Sequence, residues 1–157
     1  MENAIDISGK TTKQYIVIKI GSEQYGLDIS YIDNIVRMPT ITRVPRVQTY
    51  FKGIINLRGE VVPVMSIRLK MHLPDDVFTD ASRIIILKVE EQGSIGTIGI
   101  IVDEVKEVVE LGLDEIERPA QKSKFDKGSF ICGVGKHDNE LISLFDINAV
   151  VDEPDNG

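Results

Sequence analysis

Two similar segments that lie 80 residues apart constrain the fold of this chain more than any other feature of its sequence. The segment that begins at Phe51 aligns without a gap with the segment that begins at Ile131, so that Gly53 meets Gly133. Each segment contains a glycine, an aliphatic stretch, a polar turn and a second aliphatic stretch. A repeat of this kind predicts two similar structural units within the 157 residues.

Two earlier blocks extend the repeat towards the N-terminus. Residues 18–20 resemble residues 87–89, and residues 25–29 resemble residues 98–102. The separation between matching blocks grows from 69 residues (18 to 87) to 73 residues (26 to 99), which predicts a longer first hairpin loop in the second half. We therefore expect two small, similar β-barrels.

The repeat also suggests where the parts of the chain begin and end. The first barrel-like half covers about 14–73, the second covers about 83–151, and a polar stretch at 74–82 connects them. Exchange of strands between the halves is compatible with this pattern. Residues 1–13 and 152–157 are expected to be loose tails.

Strand signatures dominate the chain. Clusters rich in Ile and Val, bounded by Gly, Asp, Asn or Pro, lie at 15–20, 53–66, 84–102 and 131–145. Turn signals inside them are Gly21-Ser22-Glu23, Arg58-Gly59, Gln92-Gly93 and His137-Asp138-Asn139. This pattern predicts antiparallel strands joined by tight turns, and hence an all-β fold.

Few helices are expected, and all of them are short. Residues 30–36 fit a helix, because Ile32 and Ile35 share its apolar face and Ser30 precedes Asp33 as in a capping box. A second helix is expected after Asp146. The segment at 105–109 fits either a helix or a strand.

The charge balance restricts the partners of the chain. Eighteen basic against 25 acidic residues give a net charge of −7, so the protein repels nucleic-acid phosphates and anionic lipids. The N-terminus is polar, and no apolar run reaches the roughly 18 residues that span a bilayer. One cysteine, Cys132, allows no internal disulfide and fits a reducing compartment. We expect a cytoplasmic protein that does not insert into membranes.

Catalytic chemistry has little support in the sequence. His72 and His137 lack metal-ligand spacing, and no nucleotide-binding or nucleophile motif is present. An enzyme that uses Asp103, Glu104 and Asp114 is the remaining catalytic alternative. A module for proline-rich peptides would need an aromatic groove, whereas only 6% of the residues are aromatic. We therefore expect a non-enzymatic protein without metal or cofactor.

One string identifies a family. Residues 51–64, FKGIINLRGEVVPV, resemble the G-x-x-N-L-R-G-x-x-x-P signature of the CheW-type chemotaxis coupling proteins. Residues 24–29 (QYGLDI) and 99–105 (GIIVDEV) agree with the same family, and the similarity runs from about 14 to 151. The chain is thus identified as similar to a stand-alone CheW-type adaptor, or to such a module in another signalling pathway.

This resemblance implies both a fold and a function. The implied fold is a CheW-like domain of two SH3-like five-stranded β-barrels. The implied function is to couple the cytoplasmic tips of chemoreceptors, the methyl-accepting chemotaxis proteins, to the regulatory domain of the chemotaxis histidine kinase. The implied location is the cytoplasm, in association with membrane receptor arrays.

The resemblance also implies site residues. Arg58 is carried over as a receptor-binding residue, and Asn56 and Gly59 shape the turn that holds it. By themselves, these residues predict only a solvated arginine in a turn. Further receptor contacts, near the groove between the barrels, are carried over to Ile32, Asn34, Ile35, Gly99, Val105 and Val108.

Several of these contacts have a structural alternative. Ile32 and Ile35 fit the buried face of a short helix, and Gly99 fits a strand position that another chain segment approaches closely. Many relatives carry an acidic residue where this chain has Asn34, which leaves open whether a charge pair exists at that position. A second departure is mild: Pro63 is followed by Val, Met and Ser, where relatives carry P-x-x-D-L.

Overall fold

The computed structural model describes residues 4–5, 11–45, 48–91, 93–118 and 130–152. The strands are β1 (Ala4–Ile5), β2 (Thr11–Ile20), β3 (Glu23–Asp28), β4 (Ile32–Arg37), β5 (Phe51–Leu57), β6 (Glu60–Ser66), β7 (Arg83–Glu91), β8 (Ser94–Val102), β9 (Glu104–Gly112), β10 (Ile116–Glu117), β11 (Ile131–His137) and β12 (Glu140–Phe145). The short helices are α1 (Ile67–Lys70) and α2 (Ile147–Val151), with 3₁₀ turns at Ile29–Tyr31 and Leu113–Glu115. The predicted all-β class with few short helices is confirmed.

The chain forms two compact units, each with its own sheet. Unit 1 takes residues 1–18, 22–30 and 106–157, and its strands follow the order β1-β2-β3-β12-β11-β10, with β9 also paired to β2. Unit 2 takes residues 19–21 and 31–105, and its strands follow the order β4-β7-β8-β6-β5. Each unit therefore combines strands from both halves of the sequence.

The 80-residue repeat is visible in the hairpin of each unit. In β5–β6, Gly53 pairs with Val64, and in β11–β12, Gly133 pairs with Leu144. A bulge precedes the glycine in both hairpins. Both hairpins then lead into α1 or α2, whose first backbone N–H groups are capped by the side chains of Ser66 and Asp146 respectively. The two segments thus have the same local structure.

The strands that pair with these hairpins are exchanged between the halves of the sequence. Val64 pairs with Gly99 in a parallel β6–β8 ladder, and Leu144 pairs with Gly26 in a parallel β3–β12 ladder. Gly26 and Gly99 occupy matching positions of the repeat. The hairpin of the first half therefore pairs with a strand of the second half, and the reverse holds in unit 1.

The core of each unit is built from matching positions of the repeat. In unit 1 the buried cluster is Tyr15, Val17, Val109, Leu111, Ile116, Ile142 and Leu144. In unit 2 it is Ile55, Val62, Val64, Ile84, Ile86 and Ile101. Where unit 2 has Ile55, unit 1 has Gly135, and Leu111 approaches to within 2.6 Å of the place a Cβ would take. The Leu111 side chain therefore fills the space that a side chain at position 135 would take.

The predicted helix at 30–36 is wrong. Only the 3₁₀ turn Ile29–Tyr31 is helical, and β4 follows it, paired with β7. The register of β4 shifts between Ile32 and Asn34, so Asp33 is an extra residue in a β-bulge. Because the bulge adds one residue to a period of two, Ile32 and Ile35 share a face although they lie three apart. That spacing imitates a helix.

Three other expectations are changed or resolved. Segment 105–109 lies in strand β9. Thr11–Lys13, expected in a loose tail, belong to β2, and Lys13 Nζ lies 2.9 Å from Asp28 Oδ2. The remaining tail residues lie mostly outside the described part of the chain. The expected connector at 74–82 is an ordered part of unit 2, where Lys52 Nζ lies 2.8 Å from Asp75 Oδ1.

A bidentate ion pair ties three segments of unit 2 together. The Arg68 side chain donates from Nη2 to Asp103 Oδ2 at 2.5 Å and from Nε to Asp103 Oδ1 at 3.1 Å. The backbone N–H of Gly21 donates to the same carboxylate at 2.7 Å. Burial of the Asp103 carboxylate raises its pKa, but the hydrogen bonds from Arg68 and Gly21 outweigh burial and hold that pKa below its ordinary value.

We expect Asp103→Asn to lower the free energy of unfolding at neutral pH by about 1–3 kcal/mol. The folded-state pKa lies below the ordinary value of 3.8, so the carboxylate stabilises the fold above that pH and stops doing so as the pH falls through the folded-state pKa. The stability difference between wild type and variant should therefore shrink below pH 3.8. Urea titrations at several pH values measure it. Asp80→Asn, at an exposed carboxylate of the same unit, is the control and should change stability little.

Candidate functional site

The tip of the β5–β6 hairpin presents Arg58. Leu57 pairs with Glu60, which leaves Arg58 and Gly59 as a two-residue turn. Both have a positive φ, 52° for Arg58 and 84° for Gly59, as in a type I′ turn. Asn56 Oδ1 accepts a hydrogen bond from the Gly59 backbone N–H at 3.1 Å. The turn is therefore fixed locally, and the arginine side chain is exposed at its end.

An arginine is an unfavourable residue at this place in the turn. The matching turn of unit 1 uses Asp138 and Asn139, with φ values of 51° and 65°. Asp and Asn tolerate the left-handed region, whereas other side chains lose roughly 1–2 kcal/mol there. Strain of this kind persists mainly where a side chain serves a function. Arg58 is therefore held in a strained backbone conformation and is a candidate for a functional role.

We expect Arg58→Asn to raise the free energy of unfolding by about 0.5–1 kcal/mol, because asparagine adopts positive φ at less cost. Arg58→Ala keeps an unfavourable backbone and should leave stability within about 0.5 kcal/mol of wild type. Thermal and urea unfolding of the three proteins measure this order. An asparagine variant less stable than the alanine variant would contradict the strain at Arg58.

A cleft of about 220 Å³ lies beside the hairpin tip, entirely within unit 2. We call it the Arg58 cleft, and it is lined by Asp33, Leu57, Arg58, Glu60, Val62, Ile86, Lys88, Ile95 and Thr97. Val62 and Ile86 are buried core residues, whereas the Ile95 side chain is 71% exposed. The cleft thus combines apolar surface with charges of both signs. Within the described part of the chain, Arg58 makes no salt bridge.

The structure separates the other predicted receptor contacts. Asn34 and Gly99 both pair with Ile86 and share the face of the sheet that carries the Arg58 cleft. Ile32 and Ile35 pair with residues of β7 that point to the opposite face. Val105 is half-buried in unit 2, whereas Val108 is exposed in unit 1. None of these six residues is among those that line the Arg58 cleft.

Two acidic residues, Asp33 and Glu60, line the cleft, and Asp33 is the one that comes from β4. Asn34 Oδ1 instead accepts a hydrogen bond from the Ile35 backbone N–H at 2.9 Å. The bulge of β4 leaves Asp33 exposed on the cleft. Sequence reasoning missed Asp33, and it also missed the contribution of β7 and β8 through Lys88 and Ile95. The sequence signal for Ile95 was an isoleucine close to a predicted hairpin turn, because few other residues can cover an apolar side chain at that place.

Gly99 has a structural role. It is buried, and a Cβ at this position would lie 2.7 Å from Ile84 Cγ2 and 3.4 Å from Val64 Cγ2. Two core side chains thus fill the space that a side chain at 99 would occupy. Gly26 has the same role in unit 1, where a Cβ would lie 2.7 Å from Leu144 Cδ2. This geometry favours close strand packing as the reason for glycine at 99.

We expect Gly99→Ala to lower the free energy of unfolding by about 1–3 kcal/mol, since the added methyl overpacks a filled core. Gly96→Ala is the matched control on the same strand, because a Cβ there meets no atom within 4 Å. Alanine at 96 should be neutral or stabilising by up to about 1 kcal/mol. Chemical denaturation of both variants compares them, and equal stability would contradict the packing argument.

Of the carboxylates considered as catalytic groups, Asp103 has a structural task. Both of its oxygens are bonded to Arg68 or Gly21. Across the residues that the structure describes, no group of three or more His, Cys, Asp or Glu side chains could hold a metal ion. None of the helices described is long and apolar enough to cross a membrane.

The chain also matches a known protein family. A family model for the CheW-like domain matches residues 14–155. The chain belongs to the CheW family. The chemotaxis protein CheW of Bacillus subtilis (strain 168) is 34% identical over 144 residues, 92% of this chain and 90% of that protein. Chemotaxis protein CheW of Helicobacter pylori (strain ATCC 700392 / 26695) is 28% identical and covers 88% of this chain and 81% of that protein.

A solved structure supports the fold assignment. The crystal structure of scaffolding protein TtCheW from Thermoanaerobacter tengcongensis matches with a TM-score of 0.80 and 30% identity. The match covers 92% of this chain and 95% of that one. The predicted fold of two SH3-like β-barrels is confirmed by this likeness. Family and fold together assign the chain to the chemotaxis adaptors.

Proposed function

We propose that this protein couples the cytoplasmic tips of chemoreceptors to the regulatory domain of the chemotaxis histidine kinase. It acts by binding and not by catalysis, in the cytoplasm beside membrane receptor arrays. The Arg58 cleft is its receptor-binding site. Membership of the CheW family supports the pathway, and the geometry of Arg58 supports the site.

One observation carries this proposal: an exposed arginine is held in a strained turn beside an apolar cleft. Its guanidinium offers five donors in a planar fork that suits a carboxylate. Apolar contact with Leu57 and Ile95 would supply area, as in helix-in-groove recognition. Asp33 and Lys88 would add charges that select the orientation of the bound helix.

The remaining predicted contacts form a second group in this proposal. Ile32, Ile35 and Val105 are half-buried, and Val108 is 50% exposed, so part of each side chain is open to a partner. Asn34 contributes through its place in β4 beside Asp33. We assign Gly99 an indirect part, because its backbone sets the spacing between β7, β8 and β6.

We expect Arg58→Ala to weaken binding of a receptor cytoplasmic fragment by about 2–5 kcal/mol, because the variant leaves a desolvated partner group unpaired. Ile95→Ala should weaken it by at least about 1 kcal/mol through lost apolar contact. Isothermal titration with the receptor fragment measures both effects, and melting curves establish that the variants are folded.

Arg37→Ala is the matched control, since it removes another exposed arginine of unit 2, at the end of β4. It should leave receptor binding within about 0.5 kcal/mol of wild type. Binding of the kinase regulatory domain should not change in the Arg58 variant if the cleft serves the receptor alone. Unchanged receptor affinity in a folded Arg58→Ala protein would refute this site.

A further inference from the structure

The loop at 71–82 joins α1 to β7 within unit 2, and two successive carboxylates hold it in place. Asp75 Oδ1 lies 2.8 Å from Lys52 Nζ, and Asp76 Oδ2 accepts a hydrogen bond from Ser66 Oγ at 2.6 Å. The Asp75 side chain is 59% exposed, whereas Asp76 is half-buried. The two carboxylates therefore hold the same loop from different environments.

The Ser66–Asp76 hydrogen bond is shielded from water. Ser66 is fully buried at the N-cap of α1, and its Oγ also accepts a hydrogen bond from the Leu69 backbone N–H at 3.1 Å. The Asp76 Oδ1 atom is buried as well, and no group in the described part of the chain donates to it. Because the charge on this oxygen is poorly compensated, the neutral acid is favoured at this place over the charged carboxylate.

Three charged groups face the Asp76 carboxyl: Lys52 from β5, Arg68 from α1 and Asp75 from the loop itself. Lys52 is engaged by Asp75, and Arg68 donates two hydrogen bonds to Asp103. Burial of the Asp76 carboxyl therefore outweighs the attraction of the two cations and raises its pKa above the ordinary value of 3.8.

Asp75 responds to pH in the opposite direction. Hydrogen bonds from Lys52 Nζ and from the Asp76 backbone N–H, the latter at 2.7 Å, hold the pKa of the Asp75 carboxyl below 3.8. The Lys52–Asp75 pair is therefore complete above pH 3.8 and is lost as the pH falls through the lower folded-state pKa.

We propose that the Ser66–Asp76 hydrogen bond is a proton-sensitive latch, which holds the loop at 71–82 more tightly once Asp76 has taken up a proton. The neutral acid keeps a carbonyl oxygen that accepts from the Ser66 hydroxyl. Opening of the loop returns Asp76 to water and its pKa to the ordinary value. Because that pKa is higher in the closed loop, protonation favours closure.

The sign of each shift fixes the pH range in which the latch acts. The contribution of Asp76 to closure is complete below pH 3.8 and is lost as the pH rises through its closed-loop pKa. The contribution of Asp75 is lost on the acid side of the same value. The loop is thus held most tightly in mild acid, between the pKa of Asp75 and that of Asp76.

The latch acts on an apolar part of the surface. Val77 and Phe78 directly follow Asp76 and are 77% and 50% exposed. A loop held in one conformation presents these side chains in a fixed place, whereas a loosened loop does not. The pH therefore determines how constant this apolar surface is.

The latch depends on the serine at position 66. Relatives with the P-x-x-D-L string carry aspartate there, and this chain has Asp146 at the matching position of the repeat, where its side chain caps α2. Aspartate at 66 would preserve the cap of α1 but would replace the donor to Asp76 by a second carboxylate. Two carboxylates that share one site cannot both be charged without strong repulsion.

Nuclear magnetic resonance of the labelled protein tests the latch directly. Thr79 and Ser82 are bonded to each other within the loop, from the Thr79 N–H to Ser82 Oγ at 2.8 Å and from the Ser82 N–H to the Thr79 oxygen at 3.1 Å. Their amide protection factors, corrected for the intrinsic effect of pH, should rise about threefold or more between about pH 7.5 and about pH 4.5. The Asp76 carboxyl carbon should titrate above 3.8.

The amides of Ile85 and Ile100, which are paired in the core of unit 2, report global unfolding and should not follow the profile of the loop. Loop protection that is constant over this range or that rises with pH would overturn the latch. An Asp76 carboxyl that titrates at or below its ordinary value would overturn it as well.

Three variants separate the latch from other effects of pH. Asp76→Asn carries no charge at any pH, so the rise in loop protection should disappear. Ser66→Asp should lower loop protection at neutral pH and recover it on acidification, when one of the two carboxylates is protonated. Asp80→Asn, at an exposed carboxylate of the same loop, is the matched control and should keep the wild-type profile. A wild-type profile in folded Asp76→Asn protein would overturn the proposal, whatever the behaviour of Ser66→Asp.

Discussion

The parallel pairing between a hairpin and an exchanged strand is the contact on which each unit depends. In unit 2 it joins Val64 to Gly99, and in unit 1 it joins Leu144 to Gly26. Each pairing places a glycine where core side chains have already filled the available space. The close approach lets the hairpin and the strand close over one core. Everything the hairpin carries, including Arg58 at its tip, is positioned by this pairing.

Local patterns in the sequence predicted the parts of the fold that local interactions determine. The hairpin turn at Arg58 and Gly59 and the helix after Asp146 follow from turn and capping chemistry, and the structure has both. The helix at 30–36 failed because a bulge at Asp33 gives a strand the apolar spacing of a helix. The sequence could not predict which strands make up each unit, because strand exchange depends on pairing between residues far apart in the chain.

The candidate site likewise has a part that local sequence predicts and a part that depends on distant strands. Arg58, Asn56 and Gly59 are adjacent in sequence and belong to one recognisable motif, so the tip could be predicted. Lys88 and Ile95 lie on other strands and join the site only through the register of the sheet. The two hairpins show that the repeat keeps one backbone structure while the side chains it presents differ. Their registers match residue for residue. Between 51–66 and 131–146, only the glycine pair Gly53/Gly133 and the glutamate pair Glu60/Glu140 are identical.

The exchange of strands also sets an order of assembly during synthesis. Unit 2 takes its residues from 19–21 and 31–105, so its sequence is complete once residue 105 has left the ribosome. Unit 1 needs β2 and β3 from the beginning of the chain and β12 from near its end. Its first strands therefore lack their hairpin partner until more than a hundred further residues have been synthesised. During that time Tyr15 and Val17 are not covered by the hairpin. Contacts of such sequence separation form slowly, so the window in which these apolar strands meet a chaperone or another nascent chain is longest for unit 1.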